Sequence, residues 1–150
     1  MRGVRFAEMQ CSIARTLDIV GERWTLLVLR DAFNGVRRFD AFLESLGIAR
    51  NVLADRLQTL VAAGILERRP YQQRPVRYEY RLTEKGLDLY PALLALMQWG
   101  DRYLSGEDGA PYVVTHRACD HAVTATVLCP ACDQQVTARD TRRSEGPGLV

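Results

Sequence analysis

FDAFLESLGIARNVLADRLQTLVAAGILERR, residues 39–69, changes pattern twice, and those changes decide the fold. Phe39, Phe42, Leu43 and Leu46 recur at i, i+3, i+4 and i+7, the spacing of one helix face. Gly47 closes that helix and supplies a tight turn. A second helix is expected over about 50–63, with Leu53, Leu57, Leu60 and Val61 inward and Arg50, Asn51, Ala54, Asp55, Gln58 and Thr59 outward. After Gly64 the period becomes alternating. Ile65, Leu66 and Glu67 open a strand, Arg77–Leu82 forms a second, and 70–75 is expected as the loop of an arginine-tipped hairpin.

Upstream, two further helices are expected. One covers about 11–20, with Ile13, Leu17 and Val20 on one face; the other, about 23–33, contains Trp24, Leu27 and Val28 and is the more apolar and hence the buried one. Gly21, Gly35, Gly47 and Gly64 each follow a helical stretch as C′ glycines do. Downstream, Thr83 is a natural N-cap for a helix running to about Leu104, which Pro91 must kink or restart. Leu87, Tyr90, Leu93, Leu94, Leu96, Met97 and Trp99 cover more than one face of it, which implies a partner. Residues 105–111, SGEDGAP, are a linker by composition; YVVTHRA and AVTATVLC alternate like strands of a small β-extension over 112–143; residues 144–150 are a tail. No internal repeat is evident.

Helix, turn, helix and then a two-stranded hairpin is the order of a winged helix-turn-helix. The fold class is therefore mainly α with a small β-wing, plus the C-terminal β-extension as a candidate zinc ribbon. The second helix of such a motif enters the major groove, about 12 Å wide, and its N-terminal residues reach base edges first. Here those are Arg50, Asn51, Ala54, Asp55 and Gln58. Arg37 and Arg38 before the third helix, and Gln73, Arg74 and Arg77 on the wing, are placed to meet phosphates. Arg56 follows Asp55 and so points elsewhere round the helix; it is a candidate to pair with a carboxylate instead of DNA. Trp24, Trp99, Tyr78 and Tyr80 are read as packing residues.

Composition supports this placement. The net charge is only +2, but residues 49–81 concentrate seven arginines (50, 56, 68, 69, 74, 77 and 81) against Asp55, Glu67 and Glu79, while 106–150 is net acidic. Of 20 basic residues all but Lys85 are arginine, whose planar fork suits phosphate and guanine edges. With no apolar run near the roughly 20 residues of a spanning helix, and no h-region behind the N-terminus, no membrane role or export is expected. Enzymatic function is not expected: there is no phosphate loop, no nucleophile–base pattern, and both His lie in the C-terminal extension.

The segments CSIARTLDIVGERWTLLVLRDAFNGVRRFDAFLESLGIARNVLADRLQTLVAAGILERRPY and RYEYRLTEKGLDLYPALLALMQWG resemble the HxlR-type family of bacterial winged-helix transcriptional regulators, relatives of the MarR group. The resemblance covers roughly two thirds of the chain. It implies that residues 1–104 form a DNA-binding and dimerisation domain. It also implies a cytoplasmic homodimer joined through its first and last helices, and two recognition helices reading a palindromic operator in double-stranded DNA. Repression, and control by a small-molecule or redox effector, are expectations of the same kind; DNA binding itself needs no cofactor. Arg38 and Phe39 match the family's RF pair, and Arg50 to Arg56 its recognition helix. One departure is Ala49, where the family usually has a Ser cap, worth about 1 kcal/mol.

Two features lie outside that scheme. Cys11 occupies the position of an N-terminal cysteine that looks like a redox sensor in some family members; the plain alternative is a small buried hydrophobe. In HRACDHAVTATVLCPACDQQ, residues 116–135, His116-x2-Cys119 and Cys129-x2-Cys132 form two pairs at knuckle spacing, together a Cys3His set for structural zinc, with His121 a less usual substitute for His116. The glycine that usually relaxes a knuckle is replaced by Asp120 and Asp133. A metal-free β-extension is the alternative; a catalytic zinc is not expected, since four ligands leave no open position. Two rivals to the regulator reading therefore stand: a redox- or metal-responsive DNA-binding sensor, and a winged-helix protein-interaction module that binds no DNA.

Overall fold

The computed structural model describes residues 6–149. A single turn at Phe6–Glu8 precedes α1 (Ser12–Val20), α2 (Arg23–Phe33), α3 (Phe39–Leu46) and α4 (Arg50–Ala62). Strands β1 (Leu66–Gln73) and β2 (Val76–Leu82) pair antiparallel, and α5 (Glu84–Leu87) and α6 (Tyr90–Leu104) follow. By compactness the chain divides into one unit ending at Tyr90 and another beginning at Pro91.

The core of the first unit takes the stripes expected of α3 and α4 and part of the apolar run of α2, whereas Ile13 and Leu17 of the α1 stripe and Leu27 of α2 are exposed. Val28 and Leu29 of α2, Phe42 of α3, and Leu53, Leu57 and Leu60 of α4 are fully buried, joined by Leu66 of β1, Val20 and Ile65. Each such side chain stabilises the fold by roughly 1.5–3 kcal/mol relative to exposure. Buried Leu53, Leu57 and Leu60 fix the rotation of α4, so that its other face is turned to solvent.

Five expectations change. First, 70–75 is not a loop: both strands continue to a tip of only Arg74 and Pro75, because a two-stranded sheet has edges on which Pro70 does no harm. Second, the segment before α3 joins the wing as a short third edge, with the Tyr80 amide donating to the Arg37 carbonyl at 2.7 Å and Arg38 bridged to Glu79. Third, the helix expected from Thr83 to Leu104 is two helices. Thr83 does cap, its hydroxyl oxygen accepting from the Gly86 amide at 3.1 Å, but α5 stops at Leu87 and the chain restarts with Pro91 in the first turn of α6, where no amide hydrogen is needed. Fourth, Gly35, Gly47 and Gly64 have positive φ, whereas Gly21 stays right-handed at −75°. Fifth, YVVTHRA and AVTATVLC form no ladder of strands; the described extension has only the isolated bridges Thr115 to Ala122 and Leu128 to Gln135.

Candidate nucleic-acid interface

The start of α4 sits on Ala49, which is extended at φ −66° and ψ 142° and offers no side-chain cap. Arg50, Asn51, Ala54, Asp55 and Gln58 are all exposed, as a helix turned by its buried leucines requires. Thr59 is instead half-buried, its hydroxyl donating back to the Asp55 carbonyl at 3.0 Å. Arg50 lies 5.0 Å above the Phe39 ring and 3.3 Å from an Asp40 carboxylate oxygen. Both partners of that ion pair are more than two thirds exposed, so water screens it and Arg50 is readily redirected.

The structure sorts the arginines that composition could only count. Arg69 pairs with Glu67 at 2.5 Å and Arg81 with Glu79 at 2.6 Å along their own strands. Arg56 does not diverge from Asp55. Its long side chain reaches back to the Asp55 carboxylate and also stands 3.8 Å from Glu22, whose carboxylate caps α2 by accepting from the Trp24 amide at 2.9 Å. The carboxylate of Asp55 is thus engaged within the protein while Arg50 and Asn51 stay open beside it. Among the described residues Arg37, Arg74 and Arg77 make no ion pair, and all three are exposed. Gln73 is exposed at the wing tip, where its neighbour Gln72 donates to the Arg74 and Pro75 carbonyls at 3.2 and 3.1 Å.

Residues that sequence reasoning passed over complete the surface. A bulge between Pro70 and Gln72 gives β1 an extra residue, Tyr71, and the Arg38 guanidinium stacks 4.3 Å from its ring. Arg68 likewise lies 4.2 Å from the ring of Tyr78, which is exposed and not the packing residue expected, while Tyr80 does pack on the core. No sequence signal marks the bulge; the two stacked pairs follow from it and from the register.

Cys11 is exposed as the extended N-cap of α1, not buried. In the extension, His116 Nδ1 lies 3.4 Å from Cys119 Sγ, whereas His121 Nδ1 is hydrogen-bonded to the Cys119 carbonyl at 2.7 Å. The Ala131 amide, then the Cys132 amide and thiol, hydrogen-bond the Cys129 sulfur and hold its pKa below the ordinary thiol value. The structure therefore brings together each pair, His116 with Cys119 and Cys129 with Cys132, but among the described residues no three His, Cys, Asp or Glu side chains converge as a metal site. No helix of the described chain is long and apolar enough to cross a membrane.

A family model described as HxlR-like helix-turn-helix matches residues 19–108. An uncharacterised HTH-type transcriptional regulator of Mycobacterium tuberculosis is 47% identical over 138 residues, covering 92% of this chain and 87% of the relative. The crystal structure of PA1607, described as a transcription factor, superposes with a TM-score of 0.84 at 38% identity over 93% of this chain and 98% of its own. The redox regulator HypR in its reduced form matches at a TM-score of 0.58 and 33% identity, covering 61% of this chain and 92% of that one.

Proposed function

The chain belongs to the HxlR-like helix-turn-helix family of transcriptional regulators, and from that premise we propose that it is a cytoplasmic repressor that binds a palindromic operator in double-stranded DNA as a homodimer. The observation that carries the reading is the outward face of α4, where Arg50, Asn51, Ala54 and Gln58 are exposed at the end of a helix whose rotation the core has fixed. Arginine bonds bidentately to guanine and asparagine to adenine. Arg37, Arg74 and Arg77, without acid partners among the described residues, serve the phosphates. Two recognition helices set about 34 Å apart match successive half-sites, and an effector releases the protein by favouring a dimer that no longer spans them.

Selection of genomic fragments followed by salt titration tests this. A defined sequence whose log K falls steeply with log salt is the expected outcome. No selected sequence, or a flat salt dependence, would reassign the fold to a protein-interaction module.

A second reading, a redox-responsive sensor, is favoured by the exposure of Cys11 at the start of α1 together with the likeness to HypR, a redox regulator solved in both reduced and oxidised forms. In that reading oxidation of the Cys11 thiol alters the helix that joins the protomers. Oxidant should weaken operator binding by wild type and leave Cys11→Ser unaffected; indifference of the wild type rejects it.

A further inference from the structure

The extension carries a short internal repeat, which the reading of the sequence passed over and the fold makes plain. Val114–Val123 and Val127–Val136 follow one pattern: Val, a spacer, His or Cys, a spacer, Ala, Cys, Asp, two spacers, Val. The backbone repeats with it. In the first turn the Asp120 amide donates to the His116 carbonyl at 2.7 Å, the His116 amide to the His121 carbonyl at 2.9 Å, and the Val123 amide to the Val114 carbonyl at 2.9 Å. In the second, Asp133 donates to Cys129 at 2.8 Å, Cys129 to Gln134 at 2.9 Å, and Val136 to Val127 at 2.9 Å. Asp120 and Asp133 are the two non-glycine residues with positive φ among those described, at 57° and 56°. Each turn thus folds back immediately after its second donor.

Three observations say what such paired turns are for. The donors of the first turn are already at ligand spacing: the 3.4 Å between His116 Nδ1 and Cys119 Sγ compares with roughly 3.5 Å between neighbouring ligands of a tetrahedral zinc. The second turn repeats the same backbone bonds around Cys129 and Cys132, so its two thiols occupy the positions that His116 and Cys119 hold in the first. And the extension has no core of its own. From Gly106 to Leu149 no described residue is buried, and Tyr112, Val113, Val127 and Leu128 are all exposed. A segment that cannot bury apolar surface needs a staple to hold two matching turns. A Cys129–Cys132 disulfide would close the second turn and leave the first, which has one thiol, unexplained.

We propose that the extension is a binding site for one thiophilic divalent cation per chain, zinc by preference, held by His116, Cys119, Cys129 and Cys132. Binding draws the two turns onto a common ion; three thiols surrender their protons to solvent, the imidazole binds neutral, and with four protein ligands no position is left for catalysis. Gln98 of α6 anchors the short link between the turns, donating to the Val123 carbonyl at 2.6 Å and accepting from the Ala125 amide at 2.8 Å, so closure requires movement of the turns and not of their junction. His121 is left out of the set because its Nδ1 is turned to the Cys119 carbonyl, whereas His116 Nδ1 already stands beside Cys119 Sγ.

The test uses the full chain, purified with reductant, stripped with chelator and titrated with Co2+. Saturation at about one ion per chain, with the visible bands of tetrahedral cobalt and thiolate charge transfer, is expected, followed by loss of colour on adding Zn2+. Cys119→Ser and Cys132→Ser, one from each turn, should each weaken Co2+ by more than the roughly 10–100-fold that loss of an outer partner costs, while His121→Ala retains it. Circular dichroism of the helical unit controls for misfolding, and the wild-type stoichiometry stands without the variants. No tetrahedral spectrum, half an ion per chain shared between copies, or a Cys119→Ser protein that binds as wild type would overturn the proposal.

Discussion

Thr25 shows how little a single residue's type reveals before its neighbours are placed. It lies fully buried in α2, and its hydroxyl has no hydrogen-bond partner among the described residues. Thr25→Val keeps the shape and removes the stranded polar group, so urea unfolding should show a gain of about 1 kcal/mol. The interface arginines teach the same lesson with opposite weight. Seven could be counted over 49–81, but Arg56, Arg69 and Arg81 are taken by acids within the first unit, and only contacts could say so. Arg50→Ala and Asn51→Ala are expected to cost about 1–3 kcal/mol each on the selected operator and to relax base preference at their positions. Arg74→Ala and Arg77→Ala should weaken binding evenly across sequences and lower the salt slope by about 1 apiece, measured by fluorescence anisotropy over a salt series.

At the level of elements, α1 to α4 were legible nearly to the residue because each carries apolar residues at helical period and a breaker follows each. Gly47, at φ 62°, is the clearest stop, and it sets the turn from which α4 departs. The wing was less legible. Proline at 70 and 75 suggested a loop, yet strand pairing and the bulge at Tyr71 are decided across the hairpin, by register, which no local pattern records. Ala49 marks a place where the helix entry falls short of its optimum. Ala49→Ser restores a side-chain acceptor for the free amides of α4, and about 1 kcal/mol of added stability is expected, seen as a rise of a few degrees in Tm. In the proposed binding mode operator affinity should rise with it, since the same hydroxyl would stand where α4 enters the groove, within reach of a phosphate.

For the whole molecule, the unanswered surface is apolar. On α6, Leu96, Trp99, Tyr103 and Leu104 are each more than half exposed, and on α1 Ile13 and Leu17 are exposed too. Rows of this kind on two helices are what a homodimer would cover. Trp99→Glu combined with Leu96→Glu should shift sedimentation to a monomer and cut operator affinity sharply, because two half-sites are no longer bound as one; a variant that stays dimeric would dissociate α6 from assembly. What the sequence determined by itself is the order of elements from α1 to β2 and the faces that α3 and α4 bury, since periodicity and breakers are local and the hydrophobic effect reads them directly. The tertiary structure decided which charges remain for DNA, where the wing bends, and that the extension is two matching turns instead of strands. Those outcomes depend on pairings between residues distant in the chain, whose free energy is settled only when register and burial are.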